Sequence, residues 1–360
     1  MRVPIEVNKS TYRARQIHQL QESHRSLHSI STMEAAFHTQ SFDKAISVTP
    51  ISSHVYSANL DSSWAIGDVP HGGYLVAILY RLTRSHFALT HPGRHDGNAA
   101  PIGMQIAYVR RCATGPAQLD IEDIKLGART SLIRITLSQQ NLAREKIVKL
   151  TGLITISNLA SETGLSLASG WTLSPRPTTF VFPHKSTSRD FGSDQTIQTS
   201  PWKRVRVPHP EFRKATSHVE VHVAETASQT ASHRHLTDQW AALRWTDEDG
   251  RPVEGRWTNE AAAFLLDVFP TALTDLETQA TADDSVTAPM WFPTLSLNID
   301  FKKELPKDGA EWLFSRVTMK SIKNGRTDIE VVLMDESEEL VALATQAGLV
   351  MSSARNRAKF

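Results

Sequence analysis

The sequence predicts an α+β protein built by duplication. Three observations carry this. An apolar helical stretch, Tyr74 to Phe87, is followed by four strand-like runs; a second helical stretch, Trp257–Pro270, is followed by four more; and the spacing inside the two sets is similar. The first helix opens at His71-Gly72-Gly73, whose glycines allow close backbone approach and whose first turn presents unpaired N–H groups that attract partial negative charge.

The first set of strands reads Pro101–Arg111, Ala117–Leu126, Thr130–Gln140 and Lys146–Ser157, with stops at Thr114-Gly115-Pro116, Gly127 and Asn141–Arg144. In the second half, Thr258 or Asn259 is the expected N-cap, and the helix is expected to end before Pro270. Its strands read Trp291–Lys303, Trp312–Ile322, Thr327–Asp335 and Leu340–Ser352, with Asn324-Gly325 as a hairpin turn. Upstream strands are expected near Thr49–Leu60, Ser217–Ala224 and Gln239–Trp245.

A long apolar helix followed by a twisted antiparallel meander implies a sheet wrapped around its helix, the hotdog arrangement. Two in one chain make a double hotdog, two helix-wrapped antiparallel sheets fused together. The expected organisation is a polar, disordered extension over 1–40, an N-terminal hotdog over 41–160 and a Ser/Thr/Pro-rich linker over 161–200. A C-terminal hotdog over 201–353 and a tail over 354–360 complete it.

Composition agrees with an intracellular enzyme. A net charge of +1 and the lack of a basic stripe argue against a nucleic-acid partner. No apolar run approaches the ~20 residues of a membrane span, and no signal-peptide h-region is found. One cysteine, Cys112, rules out an intramolecular disulfide framework. The expected location is cytoplasmic; the terminal Ala358-Lys359-Phe360 loosely imitates a peroxisomal address. Gly-x-Ser-x-Gly, Walker, His-Glu-x-x-His and paired-cysteine motifs are all missing, so no metal or cofactor is expected. The scattered histidines, His54 among them, read as solvent-facing or locally hydrogen-bonded.

The chemistry-bearing candidates are polar residues in apolar settings of the second half. Asp267 lies in AAAFLLDVFP, Gln346 in LVALATQAGLV, and Thr294 opens the strand after the helix. A carboxylate in such a setting is costly to bury unless it is hydrogen-bonded or used. Laying Gly348 on Gly152 sets Gln346 opposite Leu150, and laying Thr258 on His71 sets Asp267 opposite Tyr80. Taken singly, Asp267 capping a loop and Gln346 satisfying a strand edge explain each; taken together, the asymmetry favours one active site per fused pair.

With these motifs in hand, the chain resembles the acyl-CoA thioesterase II family and its thioesterase-like relatives, over roughly Phe42–Met351 apart from the linker. The motifs are FLLDVF, WFPTLSLNIDF and LVALATQAG, together with W-x-I-G-x-x-x-H-G-G-Y, HPG and GARTSLIRITLSQQ. Where the family's first helix often opens Gly-Gly-x-x-x-Gly-Gln, this chain has His71-Gly72-Gly73-Tyr74. The resemblance implies a double hotdog in which Asp267, Thr294 and Gln346 hold a hydrolytic water. N–H groups of the His71, Gly72, Gly73, Tyr74 turn would polarise the thioester carbonyl. Trp64, Tyr74, Tyr80 and Met104 are candidates for the acyl pocket, and Arg110, Arg111, Lys302 and Lys303 for CoA phosphates, although solvated strand ends also explain these basic residues. The implied substrate is an acyl-CoA or acyl-carrier thioester; a homo-oligomer stays open. A hotdog tailoring enzyme (dehydratase, cyclase or acyl transferase of a small-molecule or polyketide pathway) and a non-catalytic acyl-binding protein are the alternatives.

Overall fold

The computed structural model describes residues 41–177, 180, 201–224, 236–246, 251–270, 272 and 290–356. The expected extension 1–40 and most of the second half of the linker lie outside them, as do the last residues of the tail.

The elements follow the apolar periodicity. A short helix α1 (Phe42–Ala45) leads to β1 (Thr49–Pro50), β2 (Val55–Leu60) and the small β3 (Ala65–Ile66) and β4 (Val69–Pro70). Helix α2 spans Gly72–Thr90, longer than expected at both ends, and is N-capped by His71. Its residues from Gly73 to Tyr80 are all buried, as an all-round apolar helix requires. Then come β5 (Ala100–Tyr108), β6 (Gly115–Leu126), β7 (Ser131–Gln140) and β8 (Lys146–Ser157). The second half opens with β9 (Trp202–Val205), α3 (Lys214–Ser217), β10 (Val219–Ala224), β11 (Leu236–Thr246) and β12 (Pro252–Glu254), ahead of helix α4 (Asn259–Leu265). It continues through β13 (Met290–Trp291), β14 (Thr294–Phe301), β15 (Trp312–Thr318), β16 (Ile322–Lys323), β17 (Arg326–Met334), β18 (Leu340–Leu349) and β19 (Met351–Ser352). Asn324 and Gly325 both have positive φ, at 53° and 72°, the geometry of the expected hairpin turn.

Fifteen strands join one antiparallel sheet whose order is β1-β2-β6-β7-β8-β5-β14-β18-β17-β15-β11-β10-β9, with β12 on β11 and β16 on β17. The duplication is visible in this order. Reading outward from the central pair β5–β14, one side runs β8, β7, β6, β2 and the other β18, β17, β15, β11. The central strands pair through Ser296↔Ala107, Asn298↔Gln105 and Asp300↔Gly103. The two helices pack on each other: a Cβ on Gly73 would stand 2.5 Å from the Phe264 carbonyl oxygen. One hydrophobic core therefore runs through both halves, from Tyr56, Leu79 and Ile154 to Phe264, Leu297 and Val341.

Three expectations need correction. The second helix ends before Pro270 but already at Leu265, shorter than the stretch expected, because Asp267 N–H and Val268 N–H turn back to Phe264 and Leu265. Pro270 also disfavours helical geometry in the residue before it. The strand expected over Trp291–Lys303 is broken at Phe292-Pro293, and the one over Leu340–Ser352 at Val350. A second aromatic cluster lies on the outer side of the second half, where Leu173 and Phe180 of the linker region pack with Trp240 and Phe314. Beneath it Arg316 and Asp238, cross-strand partners on β15 and β11, form a buried two-point ion pair at 2.7 Å for each contact. No helix among the described residues is long and apolar enough to cross a membrane.

Candidate active site

Asp267 is where the two halves meet. The turn that ends α4 points its carboxylate at the start of α2, and Gly73 N–H donates to Asp267 Oδ2 at 2.7 Å. This approach explains the Gly-Gly pair: a Cβ on Gly72 would lie 2.6 Å from Asp267 Oδ2, and one on Gly73 2.9 Å from Asp267 Cβ. His71 Nδ1 accepts from the same Gly73 N–H at 3.1 Å and stands 3.6 Å from Asp267 Oδ2. With Nδ1 an acceptor, the neutral ring carries its proton on Nε2. Burial holds the His71 pKa down, against the pull of Asp267, which keeps it neutral.

The other carboxylate oxygen faces the second half's own sheet. Thr294 Oγ1 lies 3.2 Å from Asp267 Oδ1 and 3.1 Å from Gln346 Oε1, and its single proton serves one acceptor at a time. Residues that span eighty sequence positions thus form a chain Asp267–Thr294–Gln346. Gln346 is buried behind Thr294, and its Nε2 has no hydrogen-bond partner among the described residues. Burial pushes the Asp267 pKa up, and His71, the hydrogen bonds from Gly73 and Thr294, and the nearby Gln346 amide offset this only in part.

Asp267 and Thr294 open into a cavity of about 1090 Å³. Leu75, Phe269, Trp291 and Leu349 give it apolar walls, while Arg110, Arg111, Lys146 and Lys149 also line it. Arg111 lies over the Trp291 ring, 5.1 Å from its centroid. Among the described residues, Asp267 is the only carboxylate in this lining. Cys112 lines it too, but burial pushes its thiol up to about 12, so it is not a ready nucleophile.

Three of the residues expected in an acyl pocket are elsewhere. Trp64, Tyr80 and Met104 are buried in the core and none lines the cavity. Trp64 is held by Phe42 and Phe264 at 4.9 and 5.4 Å between ring centroids, and Tyr80 packs edge-on against Phe301 at 5.4 Å. Tyr74 is likewise structural at its side chain, its hydroxyl donating to Ala45 O at 2.8 Å and accepting from Asp61 N–H at 3.1 Å. Lys302 and Lys303 do not line the cavity either; they pair with Asp300, and with Asp335 and Glu339. Of the four expected cations, Arg110 and Arg111 do line it.

Two positioning residues were not expected. Tyr108 OH donates to Gly72 O at 2.9 Å and so fixes the first turn of α2. Gln239 Nε2 donates to Val268 O at 2.9 Å and anchors the residue after Asp267. Gln239 carries the same signal that marks Gln346, a polar side chain inside a strand that is otherwise buried.

Comparison with known proteins bears on the family and the fold. Residues 60–157 match the model of the acyl-CoA thioesterase N-terminal domain, and residues 192–350 that of the acyl-CoA thioesterase C-terminal domain. The thioesterase-like protein TwmA of Talaromyces wortmannii is 29% identical over 337 residues, which cover 88% of this chain and 94% of that one. Among solved structures, a putative thioesterase II from Thermobifida fusca superposes with a TM-score of 0.60 at 19% identity, covering 86% of this chain and 97% of its own. A protein of unknown function with a hot dog fold from Alicyclobacillus acidocaldarius gives 0.58 at 16% identity, with 89% and 100% covered. The acyl-CoA thioesterase II TesB2 of Mycobacterium marinum gives 0.54 at 13% identity, with 87% and 98% covered. The fold is thus a hotdog fold, and with both domains matched in order the chain belongs to the acyl-CoA thioesterase family.

Proposed function

We propose that this chain is a double hotdog that hydrolyses an acyl thioester at one site shared by its halves. The observation that carries the proposal is the chain Asp267–Thr294–Gln346 in one half, with Asp267 held by the Gly73 N–H of the other and Asp267 and Thr294 at the wall of a large cavity.

In this reading Asp267 is the general base. A water held by Thr294 and by the unpartnered Gln346 amide gives its proton to the Asp267 carboxylate as its oxygen attacks the thioester carbonyl carbon. The tetrahedral intermediate expels the thiolate, which takes the proton back from Asp267 and leaves as the thiol beside a free acid. Gly73 N–H, the donor expected to polarise the carbonyl, already holds the base. Carbonyl polarisation then falls to the rest of the first turn and to His71 Nε2–H, near the positive end of the α2 dipole. The apolar walls suit an acyl chain, and Arg110, Arg111, Lys146 and Lys149 suit the phosphates of CoA or of a carrier's phosphopantetheine arm. The test is thiol release across acyl-CoA chain lengths, run beside Asp267→Asn. Turnover by the wild type and not by the variant is expected. A folded wild type that binds acyl-CoA and releases no thiol would favour a binding or acyl-transfer role.

A further inference from the structure

Three histidines and one carboxylate meet at the opposite end of α2 from Asp267. His86 lies in the last turns of the helix, His91 is its C-cap, His54 sits in the turn between β1 and β2, and Asp123 is on β6. His54 Nε2 and His91 Nε2 stand 3.1 and 2.8 Å from Asp123 Oδ2, and His86 Nε2 stands 3.1 Å from Asp123 Oδ1. Three imidazoles, two from the end of α2 and one from the β1–β2 turn, thus present the same ring nitrogen to one carboxylate. The ligand atoms of His54, His86 and Asp123 all lie within 4.8 Å of one another.

We propose that His54, His86, His91 and Asp123 bind one divalent transition-metal ion, zinc in the first instance. Metal–ligand bonds of about 2.0–2.2 Å in a tetrahedral set place the ligand atoms roughly 3.3–3.5 Å apart. An ion therefore fits if the His–Asp contacts open by a few tenths of an ångström and the imidazole nitrogens draw together, those of His54 and His86 from within 4.8 Å and that of His91 from its place against Asp123. The outer contacts also suit ligation. Tyr56 OH lies 3.2 Å from His86 Nδ1 and Ser53 Oγ 2.9 Å from His54 Nδ1. A hydroxyl both donates and accepts, so each can follow the ring proton from Nε2 to Nδ1 when a metal takes Nε2. His86 is fully buried, whereas the His54 side chain is 42% exposed and leaves one edge open for the ion to enter.

Four protein ligands make a closed, structural type of site. It lies about 20 Å along the helix from Gly72 at 1.5 Å per residue, so its role is to pin the end of α2 to β6 and to the β1–β2 turn. No spacing motif announces it, because the ligands are scattered from 54 to 123.

The test uses the full chain, stripped with a chelator and titrated with zinc chloride by calorimetry and with Co²⁺ by visible absorption. We expect one equivalent bound, a higher melting temperature with zinc, and the intense bands of tetrahedral Co²⁺. His54→Ala, on the exposed edge, and Asp123→Asn should each weaken binding by at least about tenfold. Tyr56→Phe, which removes no ligand, should also weaken it by about tenfold. Absence of stoichiometric binding by the folded chain would overturn the proposal, as would equal binding by wild type and His54→Ala.

Discussion

The two helix starts occupy equivalent places in a duplicated chain and have opposite contents. At α2 the first residues are Gly72 and Gly73, and the space their missing side chains leave is filled by the Asp267 carboxylate of the other half. At α4 the corresponding residues are Asn259 and Glu260; Asn259 closes that end from within its own half, and Glu260 reaches across to Arg81 of α2. Asn259 Nδ2 donates to Lys303 O and its Oδ1 accepts from Leu305 N–H, while Glu260 takes Arg81 at 2.6 Å. Where Asp267 stands in one half, Tyr80 stands in the other, packed on Phe301; where Gln346 stands, Leu150 is buried. On the proposed reading, duplication frees one copy of the site to become packing, because one constellation per chain suffices. The copy that keeps a buried carboxylate bears the desolvation cost that the packed copy avoids.

The contrast can be broken at its centre. Asp267→Asn keeps the shape and removes the base, and thiol release should fall by about 10²–10⁴-fold. Stability should not fall with it. A carboxyl whose pKa is raised by folding binds its proton more readily folded than unfolded, so its ionised form at neutral pH opposes folding. The variant's melting temperature should equal or exceed the wild type's; a lower one would show Asp267 to be a net structural support.

Rebuilding the dead copy is the converse. Tyr80→Asp with Leu150→Gln should add no turnover and should destabilise by roughly 3–5 kcal/mol, since an uncompensated charge would be buried beside Glu260. Denaturant unfolding reads this, and new activity would show that the two helix starts are interchangeable. Gly73→Ala sharpens the same point. Its Cβ would meet the Phe264 carbonyl at 2.5 Å, so a loss of about 1–3 kcal/mol together with reduced turnover is expected. A fully active, equally stable variant would show that the two helices can separate. The smallest effect is expected at the cavity's basic wall. Arg111→Ala should raise KM for acyl-CoA several-fold with kcat nearly unchanged, and an unchanged KM would place the CoA phosphates elsewhere.

Much of this was legible in the sequence because it is local. Helix periodicity, strand runs, the Asn324-Gly325 turn and the Thr258 cap are short-range signals, and the cap and turn geometry appear where those residues stand. Asp267, Thr294 and Gln346 stood out because a polar residue in an apolar run is itself a local anomaly. What escaped depends on which distant segment lies opposite. That Gly73 N–H holds the base follows from helix packing between halves. That Trp64, Tyr80 and Met104 are core and not cavity wall follows from the neighbours of each, which their own segments do not encode. The cross-strand pair Asp238–Arg316 and the three histidines around Asp123 are scattered in sequence and meet only through the sheet and the end of α2.

The most direct test of Asp267 as the base is the pH dependence of kcat/KM for thiol release. The base acts ionised and burial raises its pKa, so the rate should climb with pH through a single ionisation above the ordinary aspartate range. That ionisation should be missing from the residual rate of Asp267→Asn. An unchanged pH profile in the variant, with its fold intact, would assign the base to another group.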